Sequence, residues 1–302
     1  MEISSISEDL KLWVKQIEIE LLDKCNLECP LCARNYVKSQ KLLSGGYLEL
    51  EQWKNIINAF PNLNKVVLAG IISEPTMYPF FLSLVEFLVS KDLEIEINTN
   101  GSTRNKTFWR DLGNIINNNK KVNVFFTICG SNQELHSKYR KNSDLSVLLD
   151  NVKSFKEYSN RDVLQYIIFE YNKDDYKSKD MEYIKNIFST EKSVNSLPYY
   201  ERFEFVKTPE DNIHTVKELS DKYKILQKRK IKKPQIICKS KENNFVEIDN
   251  KGQIFPCFVY RLNKDNWDGS FDDIEDFKYS FCYECDKFNR QILENNNMEI
   301  MS

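Results

Sequence analysis

From Lys15 onward the chain alternates between two hydrophobic rhythms, one of period two and one close to 3.6. Lys15 to Leu22 (Lys-Gln-Ile-Glu-Ile-Glu-Leu-Leu) alternates polar and apolar residues as a strand with one buried face does. Leu48 to Phe60 then carries Leu50, Trp53, Ile56 and Ile57 at helical spacing. The alternation continues with a buried strand over Lys65–Ala69, a helix over Pro79–Val89 and a strand over Leu93–Asn98. A helix over Lys106–Ile116, a strand over Val122–Ile128, a helix over Leu145–Tyr158 and a strand over Val163–Phe169 follow. A helix over Lys179–Phe188 and a last strand over Arg202–Val206 complete six βα units, the pattern of a parallel sheet curved into a partial barrel with its helices outside.

The rhythm changes near Thr208-Pro209. Residues 209–235 are polar and increasingly basic, ending in Lys228-Arg229-Lys230-Ile231-Lys232-Lys233, and read as a solvated helix and linker. Phe245 to Phe258 reads as strand, turn, strand, with Asp249-Asn250-Lys251-Gly252 as the turn. The expected division is therefore a barrel over 1–208, a basic linker over 209–235, and a small domain with a polar tail over 236–302.

Composition narrows the class. A chain of 302 residues with 41% apolar and 29% charged residues has the make-up of a soluble globular protein. A formal net charge of -2 gives no global attraction to nucleic acid or anionic membrane. The first residues lack the basic and apolar regions of a signal peptide, and no apolar run reaches the ~20 residues that span a bilayer. Eight cysteines without an export signal read as metal ligands in a reducing compartment, so a cytoplasmic location is expected.

Cys25, Cys29 and Cys32, in Cys-Asn-Leu-Glu-Cys-Pro-Leu-Cys, carry the most specific chemistry. Three thiolates this close can hold three irons of one [4Fe–4S] cubane and leave the fourth iron open. A structural zinc would need a fourth ligand from a distant part of the chain. The cysteines follow the first strand directly, at the carboxyl end where α/β folds place their sites. This arrangement resembles the radical S-adenosylmethionine (SAM) enzymes, and the resemblance implies a TIM-like partial (βα)6 barrel. It also implies that SAM chelates the open iron, and that one electron from the cluster, supplied by a flavodoxin- or ferredoxin-type donor, cleaves SAM to a 5′-deoxyadenosyl radical that takes a substrate hydrogen atom.

Further segments extend the resemblance. Gly70-Ile71-Ile72-Ser73-Glu74-Pro75 resembles the family's Gly-Gly-Glu-Pro segment, which implies Glu74, beside Ser73, as a contact to the SAM amino group. Ser73 departs from the usual second Gly, and two extra residues separate it from Gly70. Asn98-Thr99-Asn100-Gly101 resembles the turn near the SAM ribose, whose hydroxyls suit short amide and hydroxyl side chains. Thr127-Ile128-Cys129-Gly130 followed by His136-Ser137-Lys138-Tyr139-Arg140 resembles a stretch of SPASM and twitch radical SAM enzymes. By that match Arg140 pairs with the SAM carboxylate, and Cys129 stands where an Asp is usual, facing substrate. Cys129 is then either a hydrogen-atom donor to a substrate radical or a small packing residue.

Cys238, Cys257, Cys282 and Cys285 resemble the first half of the SPASM signature, with a hairpin Gly between the first two. The shorter twitch domain matches better, implying one auxiliary [4Fe–4S] cluster; a zinc site made by the same four cysteines is the alternative. The leading expectation is an oxidation of a small polar molecule such as a sugar, cyclitol or nucleotide derivative. The fifteen residues ahead of Gln16 are fewer than a leader-peptide-binding domain would need. A peptide- or protein-modifying enzyme, or an epimerase using Cys129, is the second expectation. A non-catalytic zinc protein binding RNA through residues 222–233 is the third.

Overall fold

The computed structural model describes residues 6–195 and 239–256, except Leu31, Gln40 and Leu42. Its centre is an eight-stranded sheet: β1 (Gln16–Ile19), β2 (Lys65–Leu68), β3 (Glu94–Thr99), β4 (Val122–Ile128), β5 (Asp162–Ile168), β6 (Thr190–Asn195), β7 (Phe245–Ile248) and β8 (Ile254–Phe255). The spatial order is β6-β5-β4-β3-β2-β1-β7-β8, every pair parallel except the β7–β8 hairpin.

From β1 to β6 the spatial order follows the chain without reversal. Right-handed crossovers then put every connecting helix on the same side of the sheet, the arrangement of a singly wound barrel. The alternation in the strands agrees. Ile17, Ile19, Val66, Leu68, Ile95, Ile97, Val124 and Phe126 are fully buried and share one core with Trp53, Leu84, Trp109, Leu112, Leu148 and Phe155 of the helices. The opposite face carries Gln16, Glu18, Lys65, Glu96, Asn98, Asn123 and Gln165 together with Val67, Phe125, Val163 and Ile167, so the inner side of the sheet mixes polar and apolar groups.

The major helices form where helical spacing predicts them. They are α3 (Leu50–Asn58), α4 (Phe81–Ser90), α5 (Lys106–Ile116), α7 (Leu145–Lys156) and α8 (Lys179–Lys185). Several start at side-chain caps: Asn105 accepts from Phe108 N, and Asp144 from Ser146 N and Val147 N. Three short helices were not anticipated: α1 (Glu8–Trp13), α2 (Ala33–Ser39) and α6 (Gln133–Tyr139).

The strand expected at Arg202–Val206 lies outside the described residues, and the sixth parallel strand described is Thr190–Asn195. That segment, Thr-Glu-Lys-Ser-Val-Asn, has almost no apolar pattern, and its extended form comes from pairing with β5. Phe245–Ile248, expected in the small domain, hydrogen-bonds to β1 in parallel register, Glu18 opposite Glu247. The linker at 209–235, the basic run and the polar tail lie outside the described residues. Among the described residues no helix is long and apolar enough to cross a membrane.

Candidate active site

The loop after β1 brings Cys25, Cys29 and Cys32 to the carboxyl end of the sheet, and four other loops hold it there. Lys24 C=O accepts from Glu74 N at 2.8 Å, tying it to the loop after β2. Asn26 Nδ2 donates to Ser102 Oγ at 3.1 Å and Asn26 Oδ1 accepts from Asn100 Nδ2 at 2.8 Å, tying it to the turn after β3. Glu28 N donates to Lys141 C=O at 3.2 Å, beside Arg140. Asp23, buried, accepts through Oδ2 from Ser44 N, Ser44 Oγ and Gly45 N. Asn250, in the β7–β8 turn, donates to Ser44 Oγ and Gly46 C=O, so that hairpin is joined to the same network.

The three thiols sense one another and the Arg140 guanidinium electrostatically. Burial pushes Cys25 up to about 11 and Cys32 up to about 12, and it raises Cys29. Without a cationic partner these thiols stay protonated; bound iron reverses that preference. Among the described residues no three His, Cys, Asp or Glu side chains converge on a single ion. Three thiolates on one loop offer a separate ligand to each of three irons of a cubane, so the donor set fits the cluster.

Glu74 is buried and heavily hydrogen-bonded. Its Oε1 accepts from Thr76 N, Thr76 Oγ1 and Thr99 Oγ1, and its Oε2 from Asn100 N at 2.8 Å. A carboxylate offers about four acceptor positions over two oxygens, so Oε2 retains room for one more donor. Thr99 and Asn100 are thus brought onto Glu74, with Asn100 Nδ2 also 3.9 Å from Cys25 Sγ. Asn98 lies on the polar face of β3. Ser73 Oγ donates to Glu20, a buried β1 extension residue.

On the other flank, Arg140 ends α6. Its Nη1 lies 4.0 Å from Cys29 Sγ, and the guanidinium also hydrogen-bonds the Cys129 sulfur. Its Nε is buried and, among the described residues, has no hydrogen-bond partner. Cys129, at the end of β4, is fully buried. Its C=O accepts from Asn172 Nδ2 at 2.9 Å and Tyr171 Oη at 3.3 Å, and its N–H donates to His136 Nδ1 at 3.3 Å. His136 Nε2 meets Ser143 Oγ at 2.9 Å, and burial lowers the His136 pKa to about 3, so the ring is neutral with its proton on Nε2. Gly130 lets this happen: a Cβ there would sit 2.5 Å from His136 N.

Cys238, Cys257, Cys282 and Cys285 lie outside the described residues. Sequence reading missed Glu20, Asp23, Asn26 and Arg34. Only Glu20 left a signal, as an acidic residue on the polar side of an alternating strand.

Residues 19–182 match the family model described as the radical SAM superfamily. The fold is similar to that of Streptococcus suis SuiB bound to its precursor peptide SuiA, with a TM-score of 0.59, 15% identity, and coverage of 88% of this chain and 65% of that one. It is also similar to anSMEcpe with bound AdoMet and the Cp18Cys peptide, with a TM-score of 0.56, 20% identity, and coverage of 91% and 82%. A tungsten-containing aldehyde ferredoxin oxidoreductase cofactor-modifying protein of Pyrococcus furiosus is 25% identical over 105 residues, which span 34% of this chain and only 28% of that protein.

Proposed function

The chain belongs to the radical SAM superfamily, which implies a [4Fe–4S] cluster and S-adenosylmethionine, and we propose that it uses them to oxidise a small polar substrate. One observation supports this reading of where the cofactor sits. The Cys25 thiol lies in the field of both Glu74 and Arg140, a carboxylate and a guanidinium flanking the same loop. Glu74 keeps an open acceptor position and Arg140 an unpartnered buried Nε donor. An amino acid group needs such a pair, an acceptor for its ammonium and a donor for its carboxylate.

When bound, the cluster and SAM supply one-electron, hydrogen-abstracting chemistry. The residues of the chain do the rest. Cys25, Cys29 and Cys32 hold three irons. Glu74 and Arg140 orient the amino acid portion of SAM, while Asn98, Thr99 and Asn100 form the turn near its ribose. On the inner face of the sheet, Asn98 and Gln165 lie toward the carboxyl ends of their strands and offer hydrogen-bonding groups to a polar substrate. Cys238, Cys257, Cys282 and Cys285 would ligate a second cluster of the twitch type. A flavodoxin- or ferredoxin-type protein would supply the electron.

Anaerobic reconstitution tests this reading. The wild-type chain is expected to show iron–sulfur absorbance and to release 5′-deoxyadenosine from SAM under dithionite. Cys25→Ala, Cys29→Ala or Cys32→Ala should abolish that release, whereas Cys238→Ala or Cys257→Ala should leave part of it. Absence of both absorbance and cleavage in the wild type sinks the proposal.

A second reading is a peptide substrate. SuiB and anSMEcpe, which share the fold, were captured with peptides. Here Cys129, buried beside Arg140 at the end of β4, would return a hydrogen atom to a peptide radical. Turnover in deuterated water separates the two. An epimerase incorporates deuterium at carbon and needs Cys129, whereas a dehydrogenase does neither.

A further inference from the structure

We propose that Glu20 and Arg34 are positioning residues, which set the loop 70–74 in the one conformation that receives the amino group of SAM. The inference rests on the reading that SAM binds beside Glu74. The loop has Ile71 and Ile72 between Gly70 and Ser73, and extra length leaves a loop more conformations to lose on ordering. The Ile72 peptide is held from both sides. Its N–H donates to Glu20 Oε2 at 3.1 Å, and its C=O accepts from Arg34 Nη1 at 3.0 Å. Ser73 Oγ donates to Glu20 Oε1, and the same Arg34 Nη1 donates to the Asp23 carbonyl, two residues ahead of the first cysteine. The clamp therefore fastens the loop to the extension of β1 and to α2, the helix that starts one residue after Cys32.

The geometry of the loop requires such fastening. Gly70 has φ +55°, and a Cβ there would lie 2.4 Å from the Ser73 carbonyl oxygen, so the loop curls back over its own start. The curl turns the Ser73 hydroxyl to Glu20. A hydroxyl has one proton to donate, so Ser73 acts on the cofactor through loop shape and not by donating to it. Glu20 is 1% exposed and Ile72 2%. Losing the carboxylate leaves a buried backbone N–H and a buried hydroxyl unpaired, and the next residue along is Glu74 itself.

The test uses the anaerobically reconstituted full chain and follows the electron paramagnetic resonance signal of the reduced cluster as SAM is added, beside the iron and sulfide content. Glu20→Ala should load iron as the wild type does, yet need about tenfold more SAM for half of the spectral change. Glu20→Gln keeps an oxygen that accepts from Ile72 N, and should recover most of the loss. Ser73→Ala should show a smaller rise, and Glu20→Ala with Ser73→Ala should be no worse than Glu20→Ala alone, because both act through one contact. Arg34→Lys keeps the charge but not the fixed fork, and should fall between wild type and Glu20→Ala. A Glu20→Ala protein that saturates at the wild-type SAM concentration overturns the proposal. So does multiplication of the two single effects, or loss of iron in Glu20→Ala while Ser73→Ala binds SAM normally. A wild-type cluster whose signal ignores SAM instead removes the reading beneath, and the clamp with it.

Discussion

Asn26 and Asn100 meet side chain to side chain at 2.8 Å, across 74 residues of sequence. Asn26 lies inside the cysteine loop, directly after Cys25, and Asn100 follows β3 with its backbone N–H on Glu74. The pair makes the metal loop and the Glu74 site one hydrogen-bonded unit. Asn26→Ala removes this bond and the one to Ser102, leaving Asn100 Nδ2 with only its long contact to Cys25 Sγ and the Ser102 hydroxyl without its donor, at about 1–3 kcal/mol. The expected outcome is faster loss of iron to a chelator, severalfold over wild type, with an unchanged far-ultraviolet circular dichroism spectrum. Equal release rates would show that the loop is held without this pair.

Gly130 packs against the first turns of α6. An added Cβ would lie 2.5 Å from both His136 N and Leu135 Cβ, and backbone cannot swing aside as a side-chain tip can. Gly130→Ala is expected to destabilise the chain by about 2–3 kcal/mol. It should also shift α6, and with it Arg140, so SAM affinity should fall as well. Urea unfolding and SAM titration measure the two effects; a wild-type midpoint would show that α6 has room to move.

His136 gives the fold an acid-sensitive joint. Its folded pKa, held near 3 by burial first and by Arg140 second, lies below the ordinary value of about 6.5. The unfolded chain therefore binds the proton more readily. The contribution is present above about pH 6.5 and is lost progressively as pH falls toward 3, with a limiting slope of about 1.4 kcal/mol per pH unit. The urea midpoint of the apo chain should drop between pH 7 and pH 5. His136→Asn should start lower and drop less. An identical slope in the variant would place the acid sensitivity elsewhere.

Glu18 predicts the opposite trend at the alkaline end. Burial, then the neighbouring Glu247, Glu20 and Glu96, raises its pKa to about 8. A folded pKa above the ordinary value means stability present at low pH and lost as pH rises through about 8. Glu18 keeps part of its surface accessible, so Glu18→Gln should gain about 1–2 kcal/mol over wild type above pH 8, less than the full shift implies. Below about pH 4.5 the two should be alike. Thermal unfolding at pH 5, 7 and 9 checks the crossing.

Much of this fold is written in local pattern. The period-two stretches at Gln16–Ile19 and Glu94–Thr99, and the helical spacing through Trp53, Ile56 and Ile57, specify element type because each buries one apolar face. Thr190–Asn195 was invisible for the converse reason: an almost wholly polar strand exists only through its neighbour. α2 starts directly after Cys32 and α6 ends at Arg140; both are short helices, and neither carries an apolar stripe long enough to stand out.

The site divides in the same way. The spacing of Cys25, Cys29 and Cys32, and the segments around Glu74, Asn100 and Arg140, are contiguous features, and the sequence alone determines them because a tight loop is a local object. Tertiary structure decided which of those segments touch. Arg140 reaches Cys29 across 111 residues, Ser73 reaches Glu20 across 53, and Asn250 reaches Ser44 across 206. Such meetings depend on the order and hand of the crossovers and on the register of parallel strands, quantities set by the packing of the whole sheet and carried by no single stretch of chain.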